Sequence, residues 1–164
     1  MKQGFSLLEL LVVLAVLGIV VAIGTTTFLG FRQTTEIQEA QSQFAQDLER
    51  VRQFARRYSV DYVIKTPNAT TYEAYALKAD KTKDTTVPSI ALRTLPNNAV
   101  FNRNPTAGSE PVYTGPFGRA DTGPSNDCYS VRIASSGKFA EIHLLGTTGR
   151  ITPRAIRTTG SPCV

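Results

Sequence analysis

Lys2-Gln3-Gly4-Phe5-Ser6-Leu7-Leu8-Glu9-Leu10-Leu11 sets one cation, a glycine and an aromatic residue ahead of an apolar run broken by a single carboxylate. The run continues well past these ten positions. From Phe5 to Ile23 there are 19 residues, and Glu9 is the one charge among them. As a helix this stretch would span ~28 Å, about one hydrocarbon thickness. Apolar character persists, with breaks, through Phe28, Leu29 and Phe31, and charged residues recur from Arg32 onward. A mean hydropathy of -0.11 therefore averages a membrane-length segment with a water-soluble body. The 164 residues are 41% hydrophobic and 19% charged, which excludes wholesale disorder and collagen-like or coiled-coil composition. A chain so divided is not a cytosolic globular protein.

An ordinary secretory signal would place a small-residue cleavage site after a short apolar core. Ala22-Ile23-Gly24 has small residues at the right separation and would give a terminus at Thr25. Two features oppose that cut. The apolar stretch is longer than a usual signal core, and Glu9 lies inside it, where an unpartnered carboxylate costs a few kcal/mol.

The residues from Lys2 to Leu11 resemble the class III leader of type IV pilins and type II secretion pseudopilins. The resemblance implies cleavage by a prepilin peptidase between Gly4 and Phe5, N-methylation of Phe5, and an assembly role for Glu9. It divides the chain into a leader (1–4), a transmembrane and filament-core half-helix (5–31) and a soluble head (32–164). Physical chemistry agrees with the transfer, because cleavage creates an α-amine at Phe5 that Glu9 can pair with. The pair can form within one helix, four residues apart, or between staggered neighbours, where any other stagger leaves a charge unpaired. Major pilins of the family often carry proline seventeen residues after the glutamate; here that position is Thr26, which points to a minor subunit.

Beyond Phe31, Ile37, Ala40, Phe44, Leu48, Val51, Ala55 and Tyr58 recur at steps of three and four, one apolar stripe of a helix. With no proline before Pro67, a helix from Phe5 to Tyr58 would approach 80 Å. Strands are expected at Val60–Ile64, Thr71–Leu77, Ile90–Leu95 and Ala99–Phe101. Arg103–Asn126, with four prolines and four glycines, reads as an irregular loop. Tyr129–Ala134, Phe139–Leu145 and Arg150–Ile156, separated by Ser135-Ser136-Gly137 and Gly146-Thr147-Thr148-Gly149, suggest an antiparallel three-strand meander. The fold class is α+β: a long N-terminal helix packed on a C-terminal antiparallel sheet. This order of elements resembles the H-type minor pseudopilin and FimT-like minor pilin group.

Cys128 and Cys163 are an even pair, which in an exported chain suggests a disulfide and in the cytosol would mean free thiols. They have no CxxC spacing, and no further cysteine completes a metal site. Nothing in the sequence arranges a catalytic nucleophile with a base, and His143, the one histidine, is expected to face outward from a strand or bond within the fold. No catalytic residue, metal or cofactor is expected. Asn68-Ala69-Thr70 matches a glycosylation sequon of a kind that arises by chance.

Tyr129–Val164 holds five cations against one anion, Glu141. Arg150, Arg154 and Arg157 form a basic segment that could clamp phosphates, as on DNA-binding members of the resembled group, or simply edge a soluble surface. The expected function is that of a minor pilin or pseudopilin, inserted in the inner membrane with its head in the periplasm and then assembled into a pilus or pseudopilus. The implied partners are other pilin or pseudopilin subunits, the prepilin peptidase, the inner-membrane assembly platform, the lipid bilayer and, for the basic segment, DNA. One alternative is DNA capture during transformation. Another is a signal-anchored periplasmic binding protein whose helix never leaves the bilayer.

Overall fold

The computed structural model describes residues 7–103, 110–122, 128–134, 136–146, 148–160 and 163, without the side chains of 23–27 and 103. The chain divides into two units, Met1–Thr34 and Thr35–Val164. The helix α1 (Leu7–Tyr58) supplies the described residues of the first unit and the opening of the second. The glycine and threonines between Gly24 and Thr27 are helical, although β-branching and glycine lower helix propensity. Thr34 Oγ1 donates back to the Gly30 carbonyl at 2.9 Å, satisfying its hydroxyl within the helix.

In the second unit the expected stripe is the core face. Ile37, Ala40, Phe44, Leu48, Val51 and Ala55 are each at most 1% exposed, and Tyr58 is half-buried at the helix end. The strands that follow are β1 (Asp61–Lys65), β2 (Thr71–Leu77), β3 (Lys83–Asp84), β4 (Ile90–Thr94), β5 (Ala99–Arg103), β6 (Val112–Thr114), β7 (Arg119–Asp121), β8 (Cys128–Ile133), β9 (Phe139–Leu145) and β10 (Arg150–Pro153). They make two antiparallel sheets rather than the single sheet expected. One runs β3-β2-β1-β6-β7 with β4 also on β2; the other runs β10-β9-β8-β5. The β8-β9-β10 meander lies between the turn segments that suggested it, with β10 ending at Pro153 rather than Ile156.

Phe44 is the point at which helix and both sheets meet. Its ring stands edge-on to Tyr72 of the first sheet and to Phe101 and Tyr129 of the second, with centroids 4.8–5.1 Å away. Beside it Asp47, buried, accepts from the Tyr72 hydroxyl at 2.8 Å and from Arg93 Nη1 at 2.9 Å. Burial first, and then the Asp47 charge, push the Tyr72 phenol up to about 12, so it stays a donor at neutral pH.

The stretch Arg103–Asn126 is corrected by β6 and β7, which form a hairpin with Tyr113 and Ala120 buried and their neighbours more exposed. Each strand is three residues long, too short for alternation to stand out among prolines and glycines. Gly118 and Gly149 both have φ +63, and a Cβ on Gly149 would lie 1.9 Å from the Gly118 carbonyl oxygen. Only glycine lets the β6–β7 and β9–β10 turns approach so closely. Arg56 Nε donates to Phe117 O at 3.1 Å and Arg52 Nη2 to Thr148 O at 2.9 Å, tying both turns to the helix.

Candidate functional site

Two regions carry the residues singled out by sequence. In the first, Glu9 lies on α1 among side chains that are exposed. Leu7, Leu8, Leu10, Leu11, Val12, Val13 and Leu14 are 52–81% exposed, as are Val16, Leu17, Ile19, Val20 and Val21 within that range. Apolar residues exposed all round a helix require lipid or other protein around them. Gly4 and Phe5, the expected cleavage pair, lie outside the described residues, as does the leader 1–4. Among the described residues no helix is long and apolar enough to cross a membrane. The contiguous described side chains Leu7–Ala22 number sixteen, short of the ~20 a span needs.

The second region is the free edge of the four-stranded sheet. Arg150 starts β10, and Arg154 and Arg157 follow it; all three are exposed. The strand pairs β9 as Arg150↔Leu145 through Pro153↔Ile142, while the isolated bridge beyond pairs Arg157 with Phe139. The pairing thus slips by one residue between Pro153 and Arg157, a bulge that reverses the alternation. That slip removes the parity mismatch between Arg150 and Arg157, and the Arg154 amide still donates to the Glu141 carbonyl at 2.8 Å. From the helix, Gln41 Nε2 donates to both Glu141 O and Arg154 O at 2.8 Å, which fixes the segment where β10 ends.

Beyond Arg157, Cys163 is joined to Cys128 by a disulfide with Cα atoms 5.7 Å apart. The pairing expected of an exported chain is present. The strap explains a carboxylate that alternation alone would put in solvent. Glu141 is 2% exposed, and its Oε1 accepts the Cys163 amide at 2.8 Å. Burial alone would raise this carboxyl, but the Cys163 amide, His143 and the Arg157 charge outweigh it and hold Glu141 below the usual glutamate value. His143 bonds within the fold, its Nε2 lying 3.4 Å from Glu141 Oε2. Sequence reasoning treated Glu141 only as a lone anion; its i, i+2 relation to His143 on one strand face was the available signal.

Comparison with known proteins bears mainly on the first region. No curated protein matches the chain. Among solved structures, the minor pseudopilin EpsH from the type 2 secretion system of Vibrio cholerae is similar at 14% identity, covering 73% of this chain and 97% of its own, with a TM-score of 0.49. The family described as the prokaryotic N-terminal methylation motif matches residues 1–25, the segment that contains Gly4, Phe5 and Glu9. This chain therefore carries a prokaryotic N-terminal methylation motif at its amino end.

Proposed function

We propose that the chain is a minor pilin or pseudopilin, a structural subunit that enters the inner membrane, loses residues 1–4, is methylated at Phe5 and assembles into a pilus or secretion pseudopilus. The observation that carries this reading is the methylation motif at residues 1–25, continuous with a helix whose large apolar side chains are exposed. A lipid bilayer covers such a surface before assembly, and the helices of other subunits cover it afterwards. The folded head, Thr35–Val164, faces the periplasm. The prepilin peptidase and the inner-membrane assembly platform are the partners that processing and assembly require.

In a filament core of low dielectric, Glu9 needs a cation, and the Phe5 amine of a neighbouring subunit supplies one at a single stagger. Glu9→Gln keeps shape while removing charge. The variant is expected to insert and fold its head normally, yet to be lost from sheared filaments by at least tenfold against wild type on immunoblots. Equal incorporation would show that Glu9 does not set the register.

A second reading is DNA contact in transformation, which rests on the exposed Arg150, Arg154 and Arg157 on one strand edge and its continuation. A head lacking residues 1–31 keeps every residue of the core cluster and suits a solution assay. If the three arginines hold phosphates, duplex binding is expected to fall with salt at a log–log slope no steeper than about −3. Their joint replacement by glutamine should abolish most of that binding. Equal binding by both heads would reject the edge as a DNA site.

A further inference from the structure

Three reactive groups converge on the outer face of β8 and β9. His143 Nε2 lies 3.6 Å from Cys128 Sγ and 3.4 Å from Glu141 Oε2. The register produces this meeting, since Cys128 pairs opposite His143 and Ser130 opposite Glu141 on the same face. A proton on Nε2 serves both the sulfur and the carboxylate, whereas a lone pair there would face the carboxylate charge. An imidazolium N–H beside a cysteine stabilises its thiolate. The two sulfurs also differ in access: Cys128 is buried and Cys163 half-buried, so an outside reagent meets Cys163 first.

We propose that Cys128 and His143, with the ring positioned by Glu141, form a thiol-activating site that closes and reopens the Cys128–Cys163 strap, taking a small disulfide or thiol of the glutathione class at Cys163. In closing, the Cys163 thiolate attacks the small disulfide, forming a mixed disulfide and releasing one small thiolate. The Cys128 thiol gives its proton to solvent as the His143 Nε2–H holds the resulting thiolate, and that thiolate attacks Cys163 Sγ. The mixed S–S bond breaks as the protein S–S bond forms, and the second small thiolate leaves into solvent. The two cysteines lose two electrons and two protons, which end on the two small thiols. In opening, an external thiolate attacks Cys163, and Cys128 departs as a thiolate against the His143 N–H. The charged groups bearing on the site are Glu141 and, through it, Arg157. The facing residues Thr152 on β10 and Ser130 on β8 are neutral.

The test is strap closure in the reduced full chain, held in detergent and mixed with oxidised glutathione, with quenched samples read by mass. Were the Cys128 midpoint to fall from the ordinary value of about 8.5 to about 6.5, the thiolate fraction at pH 6.5 would rise roughly 50-fold, while intrinsic nucleophilicity would fall about tenfold. Wild type should therefore close about fivefold faster than His143→Gln at that pH, and the order should reverse near pH 9. The variant should also accumulate glutathione on Cys163. Glu141→Ala should move the pH profile toward that of His143→Gln, with Glu141→Gln retaining part of the wild-type shift. Identical rates and pH profiles for wild type and His143→Gln would overturn the proposal. Should that variant fail to fold, Cys163→Ser leaves Cys128 to be titrated by thiolate absorbance. A midpoint below the ordinary thiol value of about 8.5 supports the site, and one at or above it overturns the site.

Discussion

Phe44→Ala is expected to destabilise the head by about 3–5 kcal/mol, the cost of truncating a fully buried phenylalanine that leaves a cavity. The site cannot collapse easily, because the rings that line it come from three elements. Tyr72 is fixed by its bond to Asp47, and Phe101 and Tyr129 belong to neighbouring strands of the other sheet. A domain of this size has about 5–15 kcal/mol of stability in all, so one truncation removes a large share. Urea denaturation of the head lacking residues 1–31 measures the loss directly. Leu92→Ala, at a side chain that is 60% exposed, serves as the control and should stay within about 0.5 kcal/mol. A loss below about 1.5 kcal/mol at Phe44 would mean that the two sheets do not converge on it.

Removal of the disulfide ranks next. Cys128 and Cys163 are 35 residues apart in sequence. Closing such a loop restricts the unfolded chain and contributes roughly 3–4 kcal/mol in the chain-entropy account. The double replacement by alanine avoids leaving a buried hydroxyl and is expected to cost that amount. It should also release the Cys163 amide from Glu141. Denaturation of the double variant beside oxidised wild type gives the difference. A change under about 1 kcal/mol would show that the strap barely restricts the unfolded chain.

The helix could be read from sequence because its periodicity needs no partner: steps of three and four from Ile37 to Ala55 mark one face wherever that face packs. The strands of the meander were legible from the turn residues between them, and β9 matches its expected segment residue for residue. The split into two sheets was not legible. Alternation marks which side of a strand is buried but not which strand lies beside it, and the pairing of β5 with β8 joins segments some thirty residues apart. The β6–β7 hairpin was hidden because Gly115, Pro116 and Gly118 resemble loop composition while forming its turn. Simple alternation would set Arg157 opposite in phase to Arg150, and the bulge after Pro153 restores it, since one extra residue inverts every later side chain. The burial of Glu141 was not legible, because the Cys163 amide that holds it lies 22 residues further along the chain. Glu9, in contrast, stood out by chemistry alone, a single carboxylate among leucines and valines.

The claim that decides the rest is processing at the amino end. Gly4 and Phe5 precede a helix that presents apolar side chains on every side, and the motif spans residues 1–25. Intact-mass measurement of the full-length protein, expressed with a prepilin peptidase and extracted from the membrane, tests this directly. The expected mass lacks Met1–Gly4 and gains one methyl group, with Phe5 as the N-methylated first residue. A mature chain beginning at Thr25 would contradict the pilin account and identify the segment as an ordinary secretory signal.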